Sequence, residues 1–359
     1  MRVTKKPGRL KALIGATTAT VAALPAIFGA GMASAETPAQ SDAEHIEASA
    51  QENDGTYLVS ATPGSTTNKM RLVVRSASMG RDIPLEVIRP ADTSQPAPTL
   101  YLLNGAGGGE DAASWQRQTD IVTFFKDKQV NVVTPMQGAF TYYTDWQKPD
   151  EALHGVNKWE TFLTEELPPV IDSALGTTGV NALAGISTSG TSVFNLAITK
   201  PGLYNAVGAY SGCAGTADPV GQTYIQIVIG ARGDADIENM WGPVDGPDWI
   251  AHDPIINAEK LRGTPLYVST ATGLPGPHDT LDSKGINGNM VTLANQVIVG
   301  GIIEAATNEC THRLANRLAE LQIPANFDFK PAGTHSWGYW QDDLHNSWPM
   351  LAEAMNTPV

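Results

Sequence analysis

The chain alternates between short apolar runs and longer stretches of helical periodicity. Met70–Arg75 and Leu85–Ile88 carry apolar side chains at every second position, which predicts strands with one buried face. Thr99–Leu103, Val130–Pro135, Val180–Ala184, Ala206–Ser211 and Pro265–Ser269 are short, largely apolar runs and read as strands. Between them, Lys158–Ser173 places Trp159, Phe162, Leu163, Leu167, Val170 and Ile171 at helical spacing. Thr191–Ile198 and Leu314–Leu321 also read as helices, Ala325–Phe329 alternates as a last strand, and a terminal helix follows it. Strands separated by helices predict an α/β fold, a mostly parallel sheet with helices on both faces. In such a sheet ligands sit at the carboxyl ends of the strands. Asn104-Gly105, Ser187, Ser211 and the loop after Phe329 all fall there.

The first segment has a different character. Arg2, Lys5, Lys6, Arg9 and Lys11 precede an apolar run from Ala12 to Ala30, and Ala33-Ser34-Ala35 supplies the small residues a signal peptidase reads. Residues 1–35 are expected to be a cleaved signal peptide, which implies a secreted protein. Residues 36–55 are polar and acidic and are expected to be a flexible leader. Residues 56–359 then form one domain. The formal net charge is -14, and the basic residues of the signal segment make the remainder more acidic still. An acidic surface repels nucleic acid and anionic membranes and suits a neutral sugar or ester. Two cysteines, Cys213 and Cys310, in a secreted chain most simply form one disulfide. Cys and His residues show no metal-ligand spacing and no glycine-rich loop follows a nucleotide pattern, so neither metal nor cofactor is expected.

Candidate chemistry centres on Gly185-Ile186-Ser187-Thr188-Ser189-Gly190. A strand precedes it and a helix follows, the local shape of a nucleophile elbow, although Ser189 stands where the usual motif has glycine. An activated serine needs a histidine base and an orienting acid, in the order serine, acid, histidine. Of His252, His278, His312, His335 and His345, His335 directly follows the last strand and is the expected base. Chain order leaves the acid open between Asp279, Asp282 and Glu304. The N–H of Thr188 and that of Ala106, in the loop Asn104–Gly109, are candidates for an oxyanion hole.

Several blocks recur together: Tyr101–Gly105, Tyr143–Trp146, Lys158–Leu167, Met240–Pro243 and Gly333-Thr334-His335-Ser336-Trp337. In this order and spacing, from about Thr56 to the end, the chain resembles the antigen 85 family of mycolyltransferases. The resemblance implies an α/β-hydrolase fold in a bacterial cell envelope and a Ser187 acyl-enzyme loaded from trehalose monomycolate. It maps the base onto His335, the acid onto Glu304 and the oxyanion amides onto Ala106 and Thr188. Asn104, Gly107, Ser336 and Trp337 map to the sugar-binding site. The implied acceptor is a hydroxyl of an envelope glycolipid, polysaccharide or small protein. The family pattern has aspartate in place of Asn104 and arginine in place of Gly107, which predicts a wider, more flexible mouth. The cysteine arrangement resembles the corynebacterial branch.

Overall fold

The structure, a computed structural model, describes residues 37–359. The expected signal peptide lies outside the described residues. The sheet comprises β1 (Tyr57–Pro63), β2 (Lys69–Ser76), β3 (Arg81–Ile88), β4 (Thr99–Leu103), β5 (Asn131–Pro135), β6 (Asn181–Ile186), β7 (Tyr204–Tyr210), β8 (Leu266–Ala271) and β9 (Asn326–Lys330). Their order is β1-β2-β3-β5-β4-β6-β7-β8-β9. β1, β2, β3 and β5 pair antiparallel in succession; from β5 through β4, β6, β7 and β8 to β9 every pairing is parallel.

The apolar runs of β4, β5, β6 and β8 are buried at every position because both faces of the central sheet are covered. Successive side chains point to opposite faces. Tyr101 and Leu103 of β4 enter the core formed with Leu167, Val170 and Ile171 of α2 (Leu167–Leu175) and Val193 of α3 (Thr188–Thr199). Leu100 and Leu102 enter the other, with Trp340, Leu344, Trp348 and Leu351 of the terminal helix Trp337–Ala354. The expected helix over Lys158–Ser173 is interrupted by a π-turn at Phe162–Glu166, just ahead of Pro168 and Pro169. The segment expected over Leu314–Leu321 belongs to a longer helix, Gly301–Glu320.

The expected flexible leader is corrected. Pro38–Ser49 is a helix, α1, capped by Thr37, whose Oγ1 accepts the Gln40 N–H at 3.3 Å. Its buried stripe is only Ala43 and Ile46, too little to show as periodicity in a polar sequence. Polar contacts complete the anchor. Asp42 pairs with the buried guanidinium of Arg89 at 3.1 Å, and Glu47 accepts the Ala61 N–H at 2.7 Å. Arg89 also reaches Asn131 Oδ1 at 2.6 Å. The compact unit accordingly begins at Thr37, ahead of the expected boundary at residue 56.

Candidate active site

β6 ends at Ile186, and α3 starts at Thr188. The residue between them, Ser187, has φ 55° and ψ -122°, a conformation that L-residues rarely hold. Close packing enforces it. A Cβ at Gly185 would lie 2.6 Å from Ser189 Oγ and 2.8 Å from its carbonyl oxygen, so glycine is required there. Ser189 serves the turn in place of the usual glycine: its buried hydroxyl accepts the Ile186 N–H and lies 2.9 Å from the Ile186 carbonyl. Ser187 N–H donates to Tyr210 O at 2.9 Å.

His335 lies in the loop after β9, with its Nε2 2.8 Å from Ser187 Oγ and its Nδ1 2.8 Å from Glu304 Oε2. Glu304 is in the first turn of α4 (Gly301–Glu320) and is 1% exposed. Its other oxygen accepts Ser211 Oγ at 2.9 Å, Thr270 Oγ1 at 3.1 Å and Ala271 N–H at 2.8 Å. Burial alone pushes the carboxyl up. The hydrogen bond and charge of His335, with the Ala271 amide and the Ser211 hydroxyl, outweigh burial and hold it below the ordinary glutamate value. The structure thus brings Ser187, His335 and Glu304 into one chain of hydrogen bonds.

Asp279 and Asp282 do not reach His335 Nδ1. Asp279 accepts Thr334 Oγ1 and Tyr339 OH at 2.6 Å each, and Gln296 Nε2 and Gly276 N–H at 2.8 Å each. It ties the loop after β8 to the residue preceding His335; Asp282 is exposed. The other histidines are engaged elsewhere. His252 stacks on Trp241 and His312 on Phe329, while His278 meets Asp342 and His345 meets Asp120. The supporting contacts of Ser211, Thr270 and Asp279 were not legible in the chain. Apart from the family resemblance, the hint of Glu304 in the chain is a lone charge inside an apolar stretch.

The loop after β4 lies against the serine: a Cβ at Gly105 would be 3.5 Å from Ser187 Cβ. Thr188, as the first residue of α3, has no acceptor for its N–H within the helix. Two expectations for this loop are corrected. Asn104 is fully buried and turned inward, donating to Pro135 O and accepting the Trp115 N–H at 3.1 Å each, so its side chain holds the loop and not a sugar. Nor is the loop slack. Glu110 accepts the N–H groups of Gly138 and Ala139 at 3.0 Å, and Phe140 N–H donates to Ala106 O at 2.7 Å. A Cβ at Gly108 would lie 2.5 Å from Ala139 N and one at Gly109 2.4 Å from Asn104 Nδ2; these glycines permit close packing. Gly107 is half-buried beside the Asp111 carboxylate. Ser336 and Trp337 line a cavity of about 230 Å³, together with Gln118, His278, Lys284 and Gln296.

Cys213, just beyond β7, and Cys310 of α4 form the expected disulfide, Cα–Cα 5.0 Å, across 97 residues. Among the described residues no group of three His, Cys, Asp or Glu side chains is placed to hold a metal ion.

A strained serine between a parallel strand and a helix, bonded through histidine to a buried carboxylate, defines a serine-dependent enzyme of the α/β-hydrolase class. The sequence model of the family described as "Putative esterase" matches residues 76–351. Diacylglycerol acyltransferase/mycolyltransferase Ag85A of Mycobacterium leprae (strain TN) is 31% identical over 290 residues, 79% of this chain and 82% of that protein. Ag85B of Mycobacterium avium is 32% identical over 288 residues, 78% of this chain and 81% of that one. Among solved structures, Mycobacterium tuberculosis MPT51 shares the fold with a TM-score of 0.66 at 24% identity, covering 80% of this chain and 98% of its own. The Staphylococcus aureus serine hydrolase FphF shares it at 0.58 and 17% identity, over 79% and 97%. The chain belongs to the antigen 85-type mycolyltransferase family, within the esterase family, and is an enzyme of the acyltransferase type.

Proposed function

We propose that this protein is an exported mycolyltransferase in which Ser187 carries the acyl group between two hydroxyl compounds. Ser187 Oγ attacks the ester carbonyl of trehalose monomycolate while His335 Nε2 takes its proton. Glu304 stabilises the resulting imidazolium and fixes the tautomer. The N–H groups of Ala106 and Thr188 receive the oxyanion of the tetrahedral intermediate. His335 returns the proton to the departing trehalose, leaving acyl-Ser187. An acceptor hydroxyl then gives its proton to His335 Nε2 and attacks the acyl-enzyme, and Ser187 recovers its proton as the ester forms. Ser336 and Trp337, on the wall of the cavity, contribute to sugar binding. The observation that carries this reading is the pair of 2.8 Å hydrogen bonds joining Ser187, His335 and Glu304 in a chain of this family.

The acceptor is a hydroxyl of the envelope: a second trehalose monomycolate, arabinogalactan or a protein serine. With Gly107 presenting no side chain and Asn104 turned inward, two polar contacts expected of the family's sugar site are missing. That favours a polysaccharide or protein acceptor over trehalose monomycolate. The test is mass spectrometry of products from trehalose monomycolate alone and with arabinan or envelope peptides. Acylated arabinan or peptide is the expected main product. Trehalose dimycolate dominating every mixture overturns the acceptor assignment, and free mycolic acid dominating makes the protein an esterase that uses water.

A further inference from the structure

Between Lys284 and Glu304 the chain has no ionisable side chain. Here it forms a helical rod: Met290–Asn295, a π-turn at Gln296–Gly300, and α4. Asn289 caps its start, accepting the N–H groups of Val291 and Thr292. One side of α4 faces the domain, with Gly301, Glu304, Thr307 and Cys310 buried. The other side of the rod is bare. Met290, Val291, Ile298, Val299 and Ile302 are between 48% and 79% exposed. Val291, Ala294, Ile298, Ile302 and Ala305 recur at steps of three and four and are all exposed, a run of apolar residues along the solvent side of the rod. At 1.5 Å per residue that ridge is roughly 20 Å long. Leu274 extends it sideways: it is 62% exposed and adjoins Gly273, which packs against Gly301. Soluble proteins seldom expose so continuous an apolar surface without a use for it.

We propose that this ridge is a docking surface for an uncharged lipid layer, which holds acyl-ester substrates beside the Ser187–His335–Glu304 array. The proposal rests on the acyl-transfer reading above. Three observations select a lipid layer as the occupant. The ridge is mechanically tied to the site, since the helix that bears it also delivers Glu304 to His335 from its opposite side. It is uncharged and, apart from exposed Asn295, apolar, without the aromatic and arginine anchors typical of protein interfaces. Its lack of cationic residues, in a chain of net charge -14, suits an uncharged surface and opposes an anionic one. The rod lies along such a layer and does not cross it, because Glu304 and the Cys213–Cys310 disulfide bind α4 to the domain.

The test compares the protein with a Val291→Asp/Ile298→Asp/Ile302→Asp variant and with Ile250→Asp, a control at an apolar residue of similar exposure elsewhere. Co-sedimentation uses phosphatidylcholine vesicles, with and without added phosphatidylglycerol. The unsubstituted protein and the control are expected to partition onto phosphatidylcholine and less onto the anionic vesicles. The triple variant is expected to lose tenfold or more in partitioning and in turnover of a vesicle-embedded ester, while keeping its melting temperature and its turnover of a soluble short-chain ester within twofold. Equal partitioning of the triple variant, or no partitioning of the unsubstituted protein, overturns the proposal. So does a dimer in analytical ultracentrifugation that the triple variant abolishes, which would make the ridge a self-interface. Failure of the unsubstituted protein to cleave the soluble ester refutes the acyl-transfer reading and leaves the vesicle result to be judged on its own.

Discussion

Replacing Glu304 by glutamine tests the site most directly, because the structure dictates how the amide must sit. One carboxylate oxygen receives three donors, from Ser211, Thr270 and Ala271. The hydroxyls can rotate, but the Ala271 N–H cannot. Turning the glutamine NH2 toward it opposes two donors and leaves a buried amide unpaired, at about 1–3 kcal/mol. The carbonyl oxygen therefore faces Ala271 and the NH2 faces His335 Nδ1. Nδ1 must then accept, which puts the imidazole proton on Nε2, where Ser187 needs a base. The same amide exchange in serine-protease triads costs about 10⁴ in rate, so Glu304→Gln should lose roughly 10³- to 10⁴-fold in kcat, about 4–5.5 kcal/mol of barrier. Short-chain ester turnover and fluorophosphonate labelling of Ser187 measure it. Asp279→Asn is the comparison: it loosens the loop yet leaves the tautomer alone, and should stay within about tenfold in kcat while losing about 1–3 kcal/mol of stability. A Glu304→Gln enzyme within tenfold of the parent, or an Asp279→Asn enzyme worse than it, refutes the reasoning. The pH dependence follows with a definite sign. The Glu304 carboxyl is held below its ordinary value of 4.5, so it adds stability that is present above pH 4.5 and is lost as pH falls through the lowered value. Acid titration of stability should show that loss in the parent and not in Glu304→Gln.

Two other outcomes are expected. Removing the disulfide with Cys213→Ser/Cys310→Ser opens a link across 97 residues; the chain-entropy relation allows up to about 4.7 kcal/mol, and denaturant titration should show at least about 2. Asp42→Ala leaves the buried Arg89 guanidinium without its carboxylate and should cost about 2–4 kcal/mol, with accelerated amide exchange over Pro38–Ser49.

Much of the fold was legible because the central strands are buried on both faces and so carry unbroken apolar runs. The placement of Ser187 and His335 could be read because strand, turn and helix follow one another locally and the histidine follows the last strand. Glu304 could not be told from Asp279 by order alone. The choice depends on a helix that carries its carboxylate under β8, a relation between distant segments. Asn104 misled for a similar reason: a polar residue at a strand end suits a ligand contact and an internal bracket equally well, and only the positions of Pro135 and Trp115 decide. α1 escaped notice because its main polar anchor pairs residues 47 positions apart, which leaves no trace in local periodicity.

The π-turn at Gln296–Gly300 also constrains how this chain can change length. Such a turn holds one residue more than the α-turn it interrupts. Losing one residue within it would convert it to ordinary helix and leave Glu304 aimed at His335. Losing one elsewhere between Asn289 and Glu304 would swing the acid about 100° around the helix axis, away from its partner. Gly300 O, which receives the His335 N–H at 3.1 Å, stands at the end of the same turn. Glu304 and His335 thus share one mechanical reference, independent of the strand that carries Ser187. Descendants of this sequence can absorb a single-residue deletion cheaply at that turn, and at neighbouring positions only by sacrificing the alignment of Glu304 with His335.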